Sequence, residues 1–331
     1  MTYMKAEKTD QYSLVFNIAT LYEEARIERC LKSIVAQNYP QDRIQIAILD
    51  GGSVDRTCEI ARQYGAKVYH NEKKLPEPGL AYGYKIAQAD LVVFMAADNI
   101  LYDKEWVNKI LRPFQENPES VWAAFSKVVN DPSDTIWSKY LNQDTDPFNA
   151  FVFGNASHPD KFAKQYPVKK QGDNYVIYQY TTIDYPLIAL AQCTVLKKAG
   201  IKRPESSEYD DISPLISLIE EGQDIAYVQD TGIYHYSLKG FASFKNKFNH
   251  RIYNSIQTSS YDTRAKYNSV SRKLKKYLFL PYGFSLILPF IKSITWWMKV
   301  REQQVLLHPI ACFTLCYYIL FNYAKVKLWK K

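Results

Sequence analysis

The stretch that decides the fold is Ile44-Gln45-Ile46-Ala47-Ile48-Leu49-Asp50-Gly51-Gly52-Ser53-Val54-Asp55-Arg56-Thr57. Its first six residues form an apolar run of strand length, and the Asp-Gly-Gly sequence that follows predicts a tight turn. Ser53 can cap the next helix, which is predicted from Asp55 to Tyr64 and is ended by Gly65. A strand, a short acidic turn and a helix in succession indicate one unit of a parallel sheet.

The same alternation of strands and helices continues on both sides of this unit. Further strands are predicted at 13–18, 66–70 and 91–95, and helices at 23–37, 79–89 and from about residue 103. Apolar residues at helical spacing in the first helix predict one buried stripe, which consists of Ile27, Cys30, Leu31, Ile34 and Val35. Strands separated by single helices need crossover connections, so we expect an α/β fold with a mostly parallel sheet and helices on both faces.

Acids or hydroxyls follow three of these strands. Asp50 follows the second strand, Asp98 follows the fourth, and Thr20 lies at the end of the first. Aspartates in loops commonly cap turns, which would explain each one alone. Ligands of parallel sheets bind beyond the carboxyl ends of the strands, so the grouping at one edge favours a binding site.

The sequence lacks the motifs of several common classes of protein, and those classes are not expected. No G-x-G-x-x-G follows the first strand and no G-x-x-x-x-G-K-[ST] is present, so neither a dinucleotide fold nor a P-loop is expected. The segment 51–55 lacks the last glycine of a nucleophile elbow, which disfavours a serine hydrolase. The five histidines show no paired spacing typical of a metal site.

Composition places the chain among globular proteins. Its 331 residues are 47% hydrophobic and 23% charged, which supplies enough apolar material for one large domain with an appendage, or for two domains. The five cysteines include no C-x-x-C pair, so a reducing compartment fits best. Residues 1–11 are polar, and we expect no secretory signal there.

The last 91 residues have a different charge from the rest. Residues 241–331 contain 16 Lys and Arg against two acids, a net charge of +14, whereas the preceding part carries −6. Apolar runs at 277–291 and 305–324 are flanked by basic clusters, and the second could cross ~30 Å of hydrocarbon. We expect 271–331 to be a membrane-associated or transmembrane helical hairpin whose basic flanks face the cytosol. A pair of buried soluble helices is the alternative.

Four segments of the chain resemble glycosyltransferase family 2, which has the GT-A fold. Thr20-Leu21-Tyr22-Glu23-Glu24 is similar to the family's P-T-Y-N-E-E, Cys30 to Gln37 to its c-L-x-S-l-x-x-Q helix, Leu49 to Thr57 to its V-D-D-G-S-x-D-x-T, and Ala87 to Asp98 to its A-x-G-D-y-i-x-f-x-D-x-D. The similarity extends over about 12–251. It implies a catalytic domain at 1–270, with a nucleotide-sugar-binding part at 12–129 and an acceptor-side part at 130–251.

The resemblance also implies roles for individual residues. Those expected to bind the nucleotide sugar are Ala19, Thr20, Glu23, Asp50, Gly51, Asp98, Asn99, Lys247 and Arg251. The family's metal site implies that Asp98, assisted by His235, holds a divalent cation, Mg²⁺ or Mn²⁺, on the donor diphosphate. Asp211, with Asp210 as the alternative, matches the catalytic base, although acids in the first turn of a helix can also act as caps. Gln192 and Cys193 are expected at the acceptor by position.

One departure from the family pattern concerns the metal. The D-x-D motif is Ala96-Ala97-Asp98 here, so its first carboxylate is missing. The resemblance implies an inverting transferase that moves a sugar from a nucleotide sugar to a hydroxyl or phosphate acceptor, and the expected membrane segment suggests that the acceptor is a membrane lipid or lipid-linked glycan. The missing carboxylate leaves an alternative, a catalytically weakened member that acts as a nucleotide-sugar-binding or scaffold subunit in glycan biosynthesis. An anionic membrane surface is the expected partner of the basic segment. Nucleic-acid binding explains neither the apolar run nor the acidic loops, and no nucleic-acid partner is expected.

Overall fold

The computed structural model describes residues 12–144, 146–198, 212–258 and 269–329. Ten strands form one sheet in these ranges, in the order β3-β2-β1-β4-β9-β6-β10-β8-β7, with β5 paired to β10. The strands are β1 (Leu14–Thr20), β2 (Ile44–Asp50), β3 (Lys67–His70), β4 (Leu91–Ala96), β5 (Asn99–Leu101), β6 (Val121–Val129), β7 (Val168–Gln171), β8 (Tyr175–Tyr178), β9 (Gln192–Lys197) and β10 (Asp224–His235).

The first four strands are parallel, which confirms the predicted α/β architecture. Strand β1 pairs with β2 on one side and with β4 on the other, in a register that aligns Thr20 with Asp50 and Ala19 with Ala96. Strand β9 then enters antiparallel between β4 and β6. The sheet is therefore parallel in its core and mixed beyond it, because a long insertion, and no simple crossover helix, precedes β9.

Helices cover both faces of the sheet. Those before residue 259, which with the sheet form what the resemblance implies is the catalytic part, are α1 (Glu24–Val35), α2 (Thr57–Gln63), α3 (Pro76–Ile86), α4 (Trp106–Glu116), α5 (Ile136–Asp144), α6 (Pro147–Phe153), α7 (Ser213–Glu220) and α8 (Phe241–Thr258). Four residues of the predicted stripe on α1 are buried in the core, but the fifth, Val35, is exposed. Short 3₁₀ helices lie at Gln41–Arg43, Gly154–Ser157 and Pro159–Lys164.

The basic C-terminal segment folds as three helices packed on the catalytic part. They are α9 (Val270–Ser285), α10 (Ile287–Val300) and α11 (His308–Trp329), with a 3₁₀ helix at Gln303–Leu307 before α11. Leu286 joins α9 to α10 with φ +56°, and the two helices meet at 89°. An apolar core joins these helices to α5 and α8 through residues such as Trp137, Phe244 and Phe279.

One helical stretch in the described ranges, Gln303–Lys327, is long and apolar enough to be a candidate membrane span. The bent pair α9–α10 also passes this test when it is counted as one broken span. In the most apolar 18 residues of Gln303–Lys327, 44% of the segment is buried inside the fold. Many apolar side chains of the three helices are nevertheless exposed, among them Ile287, Phe290, Ile291, Met298, Ile310 and Tyr317.

Candidate active site

Asp50 organises the turn that follows β2. Its carboxylate accepts hydrogen bonds from the amides of Gly52 (2.9 Å) and Ser53 (2.7 Å), and from the hydroxyls of Ser53 (2.6 Å) and Thr20 (3.0 Å). Burial alone would raise the pKa of Asp50, but these hydrogen bonds stabilise the ionised form and lower the pKa. Gly52 has φ +98°, a conformation that favours glycine. Asp50 therefore joins the ends of β1 and β2.

Asp98 follows β4 and is surrounded by basic side chains. One oxygen, Oδ2, lies 3.6 Å from Nε2 of His235 and 3.8 Å from Nη1 of Arg26. Burial would raise the pKa of Asp98, but His235, Lys247 and Arg26 outweigh that effect and hold the pKa well below its usual range. The other oxygen, Oδ1, is buried and has no hydrogen-bond partner among the described residues. Asp98 is thus an ionised carboxylate with one oxygen available to a ligand.

Arg26 connects two of the predicted site residues and was not found by the sequence reasoning. Its Nε and Nη2 atoms each lie 2.7 Å from a carboxylate oxygen of Glu23, and Nη1 faces Asp98. Burial raises the pKa of Glu23, and the guanidinium of Arg26 opposes this rise in part. The only available signal was the spacing of Glu23 and Arg26 on one helix, which any surface ion pair can share.

A cavity of about 150 Å³ lies next to His235, whose Nε2 faces Asp98. Gln192, His235, Lys247 and Arg251 line it, so the structure brings together four predicted site residues from β9, β10 and α8. The remaining walls come mainly from α5, α6 and the loop before β9, and they include Asn142, Asp146, Asn149, His158, Leu187 and Ile188. Arg251 is placed by an ion pair of 3.6 Å with Asp146.

The amino-acid sequence that forms part of this site matches a known protein family. The family described as glycosyl transferase family 2 matches residues 16–193, which is more than half of the chain. The chain belongs to this family. The matched segment extends from the middle of β1 into β9, and therefore contains Asp50, Asp98 and Gln192.

Individual relatives of this family 2 chain cover only parts of it. It is 31% identical over 128 residues to a dolichyl N-acetyl-alpha-D-glucosaminyl phosphate 3-beta-D-2,3-diacetamido-2,3-dideoxy-beta-D-glucuronosyltransferase of Methanococcus voltae, across 36% of this chain and 40% of the relative. It is 31% identical over 117 residues to a 4,4'-diaponeurosporenoate glycosyltransferase of Staphylococcus haemolyticus, across 33% of this chain and 30% of the relative. Each alignment thus spans less than half of the relative.

A solved structure supports the GT-A fold over nearly the whole chain. The mannosyltransferase PcManGT from Pyrobaculum calidifontis, in complex with GDP-Man and Mn²⁺, superimposes with a TM-score of 0.53. The superposition covers 95% of this chain and 88% of the mannosyltransferase, at 13% sequence identity. At this identity the comparison establishes the shared fold, and the predicted GT-A architecture is confirmed.

Asp98 and His235, the two predicted metal ligands, face each other. Asn142 donates its amide N–H to the carbonyl oxygen of His235 (2.9 Å), so its side-chain oxygen is the atom that faces Nδ1 of the ring at 3.1 Å. Nδ1 therefore carries a proton, and Nε2 is the ring nitrogen that lies 3.6 Å from Oδ2 of Asp98. The amide nitrogen of Gln192 lies farther from Nδ1, at 3.4 Å. A carboxylate oxygen and an imidazole nitrogen are both of the types that bind metals, but the described residues contain no group of three or more His, Cys, Asp or Glu side chains that could hold a metal ion.

The other described residues of the predicted site do not line the cavity. Asn99 is fully buried and donates to the carbonyl oxygen of Ala191 (2.7 Å), which fixes the loop before β9. Ala19 and Gly51 lie at the ends of β1 and β2, where the amide of Gly51 donates to Thr20. Cys193 is fully buried in the apolar core and does not line the cavity, although it is adjacent to Gln192.

The two predicted base candidates, Asp210 and Asp211, lie outside the described residues. Ile212, which follows Asp211 directly in the sequence, lines the cavity together with His235 and Lys247. Helix α7 begins one residue later, at Ser213.

Proposed function

We propose that this family 2 chain is an inverting glycosyltransferase that moves a sugar from a nucleotide diphosphate sugar to a hydroxyl or phosphate of a membrane lipid or lipid-linked glycan. The observation that carries the proposal is the cavity lined by His235, Lys247 and Arg251, because these basic side chains lie next to Asp98, an ionised carboxylate at the carboxyl end of the parallel strand β4. The carboxyl edge of a parallel sheet is where α/β proteins bind nucleotides.

In this proposal the donor lies along the ends of β1, β2 and β4. Thr20, Glu23 and Asp50, with Ala19 and Gly51, contact the nucleoside. The diphosphate lies toward Asp98, Asn99, Lys247 and Arg251. Burial lowers the pKa of Lys247, and the negative charge of Asp98 opposes this effect. Cations placed at the leaving diphosphate stabilise the negative charge that develops during transfer.

A divalent cation, Mg²⁺ or Mn²⁺, would be held by Asp98 with His235, and would add Lewis-acid stabilisation of the leaving diphosphate. Two observations support this assignment: Oδ1 of Asp98 has no hydrogen-bond partner among the described residues, and Nε2 of His235 lies 3.6 Å from Oδ2. Because Ala96 replaces the first acid of the D-x-D motif, we propose a metal site with fewer protein ligands than two carboxylates would give.

Asp211 is the proposed base, with Asp210 as the alternative, and Gln192 and Cys193 belong to the strand at the acceptor side. A carboxylate within hydrogen-bond reach of the acceptor oxygen removes its proton as that oxygen attacks the anomeric carbon. One base and one in-line displacement invert the configuration at this carbon. The position of Ile212 in the cavity wall supports the choice of Asp211.

The C-terminal helices supply the proposed membrane attachment, with the catalytic part facing the cytosol. Their exposed apolar side chains and their basic composition suit a bilayer with anionic head groups. The dolichyl phosphate-linked sugar named for the Methanococcus voltae relative supports a lipid-linked acceptor.

The test is a transfer assay on the full chain in detergent, with a panel of UDP- and GDP-sugars and polyprenyl phosphate or lipid-linked acceptors. We expect one donor to be consumed, a product of inverted configuration by NMR, and loss of turnover in Asp211→Asn without loss of donor binding. Asp210→Asn is the matched control, since it removes the neighbouring carboxylate. If both variants keep full turnover, the assignment of the base is wrong.

A second function is favoured by one specific observation, the loss of the first D-x-D carboxylate at Ala96. A catalytically weakened member would bind nucleotide sugar as a subunit of a glycan-synthesis complex. Thermal stabilisation by a nucleotide sugar without any turnover, for every donor and acceptor combination, would support this alternative.

A further inference from the structure

A second cavity, of about 610 Å³, lies between the catalytic part and the C-terminal helices. It is separated from the active-site cavity by α5 and α6: Leu141 and Asp146 line the active-site side, whereas Tyr140 and Pro147 line the other side. The two cavities are therefore neighbours divided by about one helix diameter, ~10 Å. We call this second cavity the lysine pocket.

Four lysines line the lysine pocket, and they come from two separate parts of the chain. Lys161 and Lys164 belong to the 3₁₀ helix of the catalytic part, and Lys292 and Lys299 belong to α10. The described lining contains no Asp or Glu. Four ammonium groups around one cavity give it a positive potential, which attracts an anionic ligand.

Aromatic and hydrogen-bonded groups give the lysine pocket a fixed wall. His308 is buried between the hydroxyls of Tyr140 (2.8 Å to Nδ1) and Tyr282 (3.0 Å to Nε2), and this contact joins α5, α9 and α11. Lys161 lies 5.7 Å from the ring centre of Trp296, so the catalytic part and α10 also meet across the pocket. The cavity is thus enclosed by side chains in fixed positions, and its volume is typical of small-molecule sites.

Helix α10 has two faces that together indicate which anion is bound. Lys292, Trp296 and Lys299 recur at i, i+4 and i+7, so they lie on one side of the helix. On the opposite side the exposed apolar residues are Ile287, Phe290, Ile291 and Met298, each more than half exposed. A helix with an apolar face and a lysine face lies in the plane of a bilayer interface, at the depth of the lipid phosphates.

We propose that the lysine pocket binds the phosphate of an anionic lipid head group and seats the protein on the bilayer. The proposal rests on the membrane attachment proposed above but not on sugar transfer, and the ligand is held outside the active-site cavity. The phosphate is recognised by four ammonium groups, whereas the acyl chains follow the apolar face of α10. A lipid-linked phosphate acceptor carries the same chemistry, so the two sources must be separated by experiment.

The test measures binding of soluble short-chain lipids to the purified full chain by calorimetry. Dioctanoyl phosphatidylglycerol should bind once per chain, and Lys292→Gln/Lys299→Gln should weaken it roughly tenfold or more, since each cation near a lipid phosphate contributes about fivefold. Lys161→Gln/Lys164→Gln should have the same effect, although these lysines lie outside the C-terminal helices. The matched control is Lys273→Gln/Lys275→Gln, which removes the same charge from α9 outside the pocket and should leave affinity unchanged.

Each other outcome has a defined meaning. At least tenfold tighter binding of a short prenyl phosphate than of phosphatidylglycerol would support the lipid-phosphate site and assign its source to a lipid-linked phosphate. If the pocket variants and the control variant lose affinity for phosphatidylglycerol equally, the lipid is attracted by the general surface charge, and the proposal is overturned. Inorganic phosphate that binds as tightly as either lipid, or no binding at all, would also overturn it. Vesicles of neutral phosphatidylcholine should bind all variants alike, which separates apolar attachment from this site.

Discussion

Replacing Asp98 with asparagine tests the centre of the site, because this change removes the charge and keeps the shape. Without metal, the variant loses the attraction to His235, Arg26 and Lys247, although an amide costs less to bury than a carboxylate. The basic neighbours outweigh the cost of burial and keep the pKa of Asp98 low, so we expect the variant to lose about 1–3 kcal/mol of the free energy of unfolding at neutral pH. With metal the two proteins should separate clearly.

The expected difference in the free energy of unfolding follows from the coupling of metal binding to folding. A cation that binds only the folded protein stabilises it by about 2.7 kcal/mol at a concentration one hundred times its dissociation constant. We expect the wild-type chain to show this increment with Mn²⁺ and nucleotide diphosphate, and Asp98→Asn to lose most of it. Turnover should fall roughly a hundredfold or more, since the charge that holds the leaving diphosphate is gone.

The measurement is urea denaturation in detergent, with Mn²⁺ plus nucleotide diphosphate and with chelator, beside a turnover assay. Asp131→Asn is the matched control: hydrogen bonds from Ser133 and Tyr236 lower the pKa of Asp131 to about 2, but this residue lies outside the cavity. The control should keep both the metal increment and turnover. An Asp98→Asn protein that retains the full Mn²⁺ increment would refute the assignment of Asp98 as the metal ligand.

Three further changes test the neighbouring structure. Arg26→Ala should lower the free energy of unfolding by about 1–2 kcal/mol, because Glu23 loses a bidentate partner, and added Glu23→Gln should recover part of the loss in urea denaturation. Gly52→Ala should cost about 1–2 kcal/mol of strain and weaken nucleotide binding in calorimetry, whereas Gly65→Ala, also at positive φ, should cost stability alone. Gly283→Ala should lower the melting temperature, because its methyl group would overlap the sulfur of Cys316, and Cys316→Ala should partly restore it.

The parallel core could be predicted from sequence because its signals are local. Each of β1, β2 and β4 is a short apolar run, and each is followed by turn or acidic residues that appear in the structure at the expected edge. The Asp50 turn is encoded almost entirely within Asp50 to Ser53, where the carboxylate accepts from amides two and three residues later. Such short-range chemistry is visible in a single sequence.

The rest of the site depends on contacts between residues that are distant in sequence. Strand β9 enters the sheet antiparallel after about sixty residues of insertion, and no periodic pattern specifies its neighbours. The contact of Arg26 with Asp98 joins α1 to the end of β4, and an ion pair across 72 positions has no local signature. The lysine pocket is a more distant case, because Lys161 and Lys292 become neighbours only when α10 packs on the catalytic part.

The apolar helix α11 is hydrogen-bonded to α5 near one end and to α8 near the other. Membrane attachment of α11 would therefore also affect the active-site cavity. His308 in the first turn of α11 contacts Tyr140 of α5, and Asn322 near the other end donates to Asn249 of α8 (2.9 Å). Polar groups of an apolar helix need partners wherever water is absent, and here those partners come from catalytic helices. This arrangement favours a helix that lies along the catalytic part with one face toward lipid. Because α8 also carries Lys247 and Arg251 into the active-site cavity, the proposed contact of α11 with a bilayer would fix the orientation of that cavity relative to the membrane.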